Sequence, residues 1–337
     1  MIGRRAIGAL LILALAAWGA VGTVAEYWIR HYTVGQESRA GALLPAEDGG
    51  LTVAGSALTE SDEPVCAGIF MLHIGPDGEP GHPALYDWGG VFAAEDMVAT
   101  EDDGLIFAGS TTEYGAQGID MFLLKVDGSG QTLWSSVLGA ALDESARRIV
   151  KASDGGYFVI GNQVDPGDVV ADPGTPGYGG LEGRCAPYVA RVENEGQPVW
   201  KTALSSDENV VAFDGAATDD GGCLVLATAY GYPNVCDSLR LIRLDGNGDI
   251  LWTRSRDDGS SKGYALLRTS PGQFLIAGAQ SFPEDPSRGN RRAFLILVDA
   301  DGDEVWSRHY GDPDRTSAAY ALVETAAGLF VAAGTEY

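Results

Sequence analysis

The chain writes one short sentence six times, and no other feature limits its fold so tightly. An acidic or Gly-rich turn is followed by an apolar strand that ends in Gly or Ala. The copies are EDGGLTVAG (Glu47–Gly55), EDDGLIFAG (Glu101–Gly109), SDGGYFVIG (Ser153–Gly161), DDGGCLVLA (Asp219–Ala227), SPGQFLIAG (Ser270–Gly278) and AAGLFVAAG (Ala326–Gly334). A second sentence follows, best seen in MFLLKVDGSGQTLW (Met121–Trp134), LRLIRLDGNGDILW (Leu239–Trp252) and FLILVDADGDEVW (Phe294–Trp306). The closing residues of the first sentence fall at 55, 109, 161, 227, 278 and 334, spaced 54, 52, 66, 51 and 56. The closing Trp falls at 134, 200, 252 and 306, spaced 66, 52 and 54. Two independent markers share one period and one insertion, which is the signature of a repeat architecture.

Within each unit, apolar runs of four to six residues alternate with Gly or Asp, and each unit reads as four short strands. The best-written copy places two of them around Ala146–Lys151 and Tyr157–Gly161, either side of Ser153–Gly156. No stretch after residue 25 keeps a helical apolar period over three turns. The expected fold is therefore all-β, a β-propeller of about six four-stranded blades. The units run roughly 35–88, 89–138, 139–206, 207–257, 258–310 and 311–337. Asp127-Gly128-Ser129-Gly130, Asp245-Gly246-Asn247-Gly248 and Asp299-Ala300-Asp301-Gly302 read as tight hairpin turns, because Gly reaches positive φ cheaply and Asp bonds its own backbone. They lack the Gly at the sixth place and Glu at the twelfth that a calcium loop needs.

Residues 1–25 stand outside the repeat. Arg4 and Arg5 precede an uncharged apolar run from Ala6 to Gly22, and Thr23-Val24-Ala25 offers small residues for cleavage. This reads as a secretory signal peptide, with an uncleaved membrane anchor as the alternative. The segment EYWIRHYTV (Glu26–Val34) then matches EVWSRHYGD (Glu304–Asp312), so it is expected to supply a strand that closes the ring on the last blade. In the first unit the Trp expected near residue 82 is lost to Gly81-His82-Pro83. The sixth unit offers only two strands before Thr335-Glu336-Tyr337. That blade is incomplete, either as a three-stranded closure or as the point where a longer chain is cut.

Lengths vary most in the loops after the first sentence: Ser56–Val65, Ser110–Gly118, 162–184, Thr228–Val235 and Ala279–Asn290. The tight Asp/Gly hairpins lie at the other end of the strands, so variation gathers on one face. Loops on a rigid scaffold are where binding resides. Tyr114, Tyr178 and Tyr232, with Asp168 and Asp172, are the candidate binding residues of that face. Asp165, Asp168 and Asp172 also form the one candidate calcium group, against a preferred reading as a plain acidic loop. Of the four cysteines, Cys185 and Cys236 take the same place in adjacent units and are the candidate disulfide. Free thiols are the alternative.

The charge is −25, from 22 Lys and Arg against 47 Asp and Glu, which argues against nucleic acid or an anionic membrane as partner. The four histidines are scattered over the units, and no GxSxG, HExxH, P-loop or dinucleotide motif appears. The strand positions expected to line the axis are mostly apolar or small. DGGYFVIG, DMFLLKVDGSGQTLW and RHYGD resemble the extracellular β-propeller repeat of bacteria and archaea, over residues 26–337. That resemblance implies fold and an exported location, and transfers no catalytic residue. The reading at this level is an exported binding or scaffolding propeller that recognises a protein or glycan through its variable-loop face, without a cofactor. The alternatives are a propeller-type periplasmic enzyme (quinoprotein-like, hydrolase or lyase) and a structural surface-layer or filament component.

Overall fold

A computed structural model describes residues 30–58, 67–113, 118–165, 184–204, 208–230, 237–256, 260–281, 291–312, 314–325 and 330–336. The described residues form strands and connecting turns, with no helix. They divide into two compact units, one ending at Val137 and one beginning at Leu138. The first unit holds two antiparallel four-stranded sheets. One is built from β1 (Ser38–Pro45), β2 (Leu51–Leu58), β3 (Ala67–Ile74) and β4 (Ala84–Tyr86). The other is built from β5 (Phe92–Ala99), β6 (Leu105–Thr111), β7 (Asp120–Val126) and β8 (Thr132–Val137).

The second unit holds three more such sheets. They are β9 (Asp143–Lys151), β10 (Tyr157–Asp165), β11 (Arg184–Val192) and β12 (Pro198–Ala203); β13 (Asn209–Ala217), β14 (Cys223–Tyr230), β15 (Ser238–Leu244) and β16 (Ile250–Arg256); and β17 (Ser260–Ser270), β18 (Gln273–Ser281), β19 (Arg291–Asp299) and β20 (Glu304–Tyr310). A two-stranded sheet, β21 (Ser317–Glu324) and β22 (Phe330–Glu336), follows. Strands neighbour in sequence order throughout, and within each unit the first strands of successive sheets pack together: β1 on β5, then β9 on β13, β13 on β17 and β17 on β21. This is a β-propeller. The two middle strands of the blades are the most buried, as in Leu224, Val225, Leu226 and Ala227 of β14, which is why those stretches read as unbroken apolar runs rather than alternating ones.

The repeated turn carries a repeated ion pair. Asp102, Asp154 and Asp220 each stand seven residues before the closing residue of the first sentence, and each binds a cation at the last position but one of the third strand. Lys125 Nζ lies 2.5 Å from Asp102, Arg191 lies 2.7 Å from Asp154, and Arg243 pairs with Asp220. The cations are buried while the carboxylates face solvent. His73 and Asp48 make the same pair at 3.0 Å in the first blade. The cation lies across the glycine that opens the second strand. A Cβ on Gly104, Gly156 or Gly222 would meet Lys125 Nζ, Arg191 Nη1 or Arg243 Nη1 at 2.7, 2.6 or 2.5 Å. The fifth blade lacks the whole device at once: Pro271 replaces the Asp, Gln273 the glycine and Leu297 the cation. The Asp102 carboxyl is lowered to about 2, first by its bond from Lys125 and then by Thr100.

Blades of one unit are joined through the outer strands. Trp200 donates from Nε1 to Gly246 O at 2.8 Å and lays its ring on Gly248, and Trp252 lies on Gly302 in the same manner. In the first blade, where the repeat Trp is missing, Tyr86 takes over by donating to Gly130 O at 2.8 Å. Arg30 and Tyr32 bind the hairpin at Asp77–Glu79, through Glu79 at 2.6 Å and Gly78 O at 2.8 Å. That is where Trp252 and Arg254 of a preceding outer strand rest on Gly302. Arg30–Val34 form no strand, β22 carries no third strand among the described residues, and 26–29 lie outside them.

Candidate functional site

The first strand of every blade carries a bulge fourteen residues before the closing residue of the first sentence, and β17 has a second one at Thr269. The bulged residues at the shared offset are Gly41, Glu95, Arg147, Phe213, Tyr264 and Tyr320. A bulge inserts an extra residue into one strand and re-aims its side chain out of the pleat. In the last two blades the in-register neighbours are small or apolar, Gly263, Ala265, Ala319 and Ala321, whereas Asp96, Arg148 and Asp214 follow the bulge in the second, third and fourth. In the second unit three successive blades place aromatic rings there, and the rings meet. Phe213 and Tyr264 stand edge-on with centroids 5.6 Å apart, and Tyr264 and Tyr320 are 4.9 Å apart. Tyr320 is 48% exposed, so the row ends open to solvent.

The strands under this row are fixed by buried polar groups. Asp214 accepts from Gly215 N and from Leu266 N, both at 2.8 Å, and pairs with Arg148 Nε at 3.0 Å. One carboxylate thus ties β9, β13 and β17. Burial pushes its pKa up, opposed by Arg148 and the two N–H donors. Asn162 donates to Ala212 O at 3.0 Å and accepts from Ala212 N at 2.8 Å, which joins β10 to β13.

Charged and hydroxyl groups flank the row on the side of the variable loops. Asp237, just before β15, accepts from Lys262 Nζ at 3.1 Å and Ser260 Oγ at 3.2 Å, with Arg291 at 3.9 Å. Lys262 Nζ also sits 4.3 Å from the centre of the Tyr230 ring. Arg291 hydrogen-bonds the Tyr264 hydroxyl, and burial, the larger effect, raises the Tyr264 pKa. The phenol stays protonated at neutral pH and can both donate and accept hydrogen bonds. The arrangement offers ring faces for stacking, with a carboxylate, an ammonium and a guanidinium at their edge.

The residues singled out in the sequence fall mostly elsewhere. Tyr114, Asp168, Asp172, Tyr178, Tyr232 and Cys236 lie outside the described residues. Asp165 closes β10 opposite Arg184. Cys185 is a buried thiol pushed up to about 12 by its burial, and its expected disulfide partner Cys236 lies outside the described residues. Cys185 packs into an apolar cluster with Val164 and Val211, beneath Phe213 and Tyr230. Among the described residues no three His, Cys, Asp or Glu side chains gather as a metal site requires. The aromatic row escaped the sequence reading because a bulge breaks the alternation. Its signal was the fixed offset of fourteen, which reads Gly, Glu, Arg, Phe, Tyr, Tyr down the repeat.

The fold and this surface define a β-propeller with a polar-edged aromatic row on its inner strands. Among solved structures it is similar to a polysaccharide lyase, an ulvan lyase, at 13% identity over 83% of this chain and 72% of that one, with a TM-score of 0.51. It is also similar to a puromycin hydrolase, at 14% identity over 91% of this chain and 44% of that one, with a TM-score of 0.46. At such identities the likeness shows the fold alone. No family model matches the chain, and no curated protein matches it.

Proposed function

We propose that this protein is an exported binding propeller whose ligand is a glycan, held on the row Phe213–Tyr264–Tyr320. The observation that carries the reading is the row itself. Three contiguous rings at bulged positions, set edge-on and tilted to one another, end in the half-exposed Tyr320, whose ring offers an apolar face on which the C–H face of a sugar stacks. Asp237, Lys262 and Arg291 stand beside it as partners for sugar hydroxyls. The charged N-terminal start, its apolar run and the likeness of the repeats to extracellular propellers support export. A glycan suits the chain's charge of −25 better than nucleic acid does.

Affinity electrophoresis of the purified chain through gels cast with neutral and acidic polysaccharides tests this. At least one polysaccharide is expected to retard the protein, with retardation lost in Tyr264→Ala and Tyr320→Ala and kept in Tyr310→Ala. Equal migration of the parent and Tyr320→Ala in every gel would reject the row as the site. Release of reducing ends from a retarding polysaccharide would replace binding with catalysis.

A further inference from the structure

A second site lies away from the aromatic row, between the outer halves of the fourth and fifth blades. A cavity of about 200 Å³ is floored by Leu239, Leu241, Ile276, Ile296 and Val298. All five are at most 3% exposed. Arg254, Arg256, Gly302 and Glu304 stand at its mouth. The repeat explains why a cavity exists here. Four residues beyond the Trp, the second and third blades carry Leu138 and Leu204, both buried. Leu204 fills the equivalent space between the third and fourth blades, among Ile160, Val189 and Ile242. In the fourth blade the same position is Arg256, which turns away to pair with Glu304. No leucine remains to fill the gap.

The mouth carries a cation. Two residues beyond the Trp, the second and third blades have Ser136 and Thr202, while the fourth has Arg254 and the fifth Arg308. Its stem rests on Gly302, and its guanidinium lies 5.6 Å from the centre of the Trp252 ring. Among the described residues no carboxylate pairs with it. The one acid at the mouth, Glu304, is taken by Arg256. An apolar hole of roughly 150 Å³ holds benzene, so this one fits a body of about six to eight carbon atoms. A guanidinium without a partner at its rim recognises a carboxylate by two parallel hydrogen bonds.

We propose that the cavity binds a small organic carboxylate, with its ring or short alkyl body against Leu239, Leu241, Ile276, Ile296 and Val298 and its carboxylate on Arg254. The inference does not rest on the glycan reading, since no residue is shared.

Isothermal titration of the full chain with phenylacetate, hexanoate and the neutral phenylacetamide tests it. The acids are expected to bind at least ~10-fold more tightly than the amide, the margin of one charge-assisted hydrogen bond. Arg254→Gln should weaken the acids by that factor and leave the amide unchanged. Arg256→Leu restores the leucine of the other blades. It should abolish binding of all three and raise the melting temperature, which separates a filled cavity from a misfolded chain. Equal affinity for acid and amide, no heat from either acid at millimolar concentration, or unchanged binding by Arg256→Leu would each overturn the proposal.

Discussion

Replacing Asp220 with Ala tests the device that recurs through the blades. The Arg243 side chain is 7% exposed, whereas that of Asp220 is 62% exposed. Without Asp220 the guanidinium keeps its bonds to Cys223 O, at 3.2 Å, and to Leu244 O. The substitution therefore leaves a buried charge partly satisfied. Breaking a fully buried pair costs about 3–5 kcal/mol, and an exposed pair is worth about 0.2–1 kcal/mol. A loss of about 2 kcal/mol follows for Asp220→Ala, including the hydroxyl bond from Thr218. The fifth blade shows how the structure does without the pair, with Leu297 and Pro271 in the two places. Arg243→Leu in the Asp220→Ala background should accordingly recover about 1–2 kcal/mol, a coupling of the size contacting residues show. Urea unfolding followed by tryptophan fluorescence, run on the parent, both single variants and the double, measures it. Additive losses, or an Asp220→Ala midpoint indistinguishable from the parent, would refute the reasoning. The pH dependence has a definite sign. The Asp220 carboxyl is held below its ordinary value by Thr218 and then by Arg243. Its contribution is complete above about pH 4, the unfolded value. It fades as pH falls through the lower folded value, so the difference between parent and Asp220→Ala should shrink only in acid.

Tyr86→Phe removes the hydroxyl bond to Gly130 O and Trp200→Phe removes the indole bond to Gly246 O. Each should lower stability by about 1 kcal/mol in urea, and no change in either would deny the blade-joining role. Cys185 and Cys223 are buried thiols pushed up to about 12 by burial. Both should resist a maleimide at pH 8 and label fully in denaturant, as read by mass spectrometry of their peptides. Burial raises the Tyr264 pKa above the usual phenol value. Its stabilisation is thus complete below about pH 10 and lost as pH rises through the folded value. Tyr264→Phe should flatten the alkaline fall in stability, measured by urea midpoints at neutral pH and above pH 10.

Much of the fold could be read from the chain because the repeat states it locally. The runs LIFAG, YFVIG and FLIAG are strands wherever they stand, since their apolar residues can be buried only by a sheet covered on both faces. The Asp/Gly turns between them carry their own hydrogen bonds, as where Asp245 accepts from Asn247 N and Asp249 N. The ion-pair device was written in the sequence as well, in the joint loss of Asp, Gly and cation in the fifth unit. It was missed because the partners are more than twenty residues apart.

The candidate sites depended on contacts between repeats, where periodicity is silent. Phe213, Tyr264 and Tyr320 sit more than fifty residues apart and become neighbours because β13, β17 and β21 pack side by side, each with its bulge at one level. Cys185 is buried because the next blade presents Val211 and Phe213 to it. Arg256 in place of a leucine is a single letter in the sequence, and only the facing blade turns it into a cavity. The sequence by itself determined the period, the strands and their turns, because those depend on interactions a few residues apart. Tertiary structure decided which side chains meet, because in a repeat fold the chemistry lies between units, in the space that one blade leaves and the next one fills or does not.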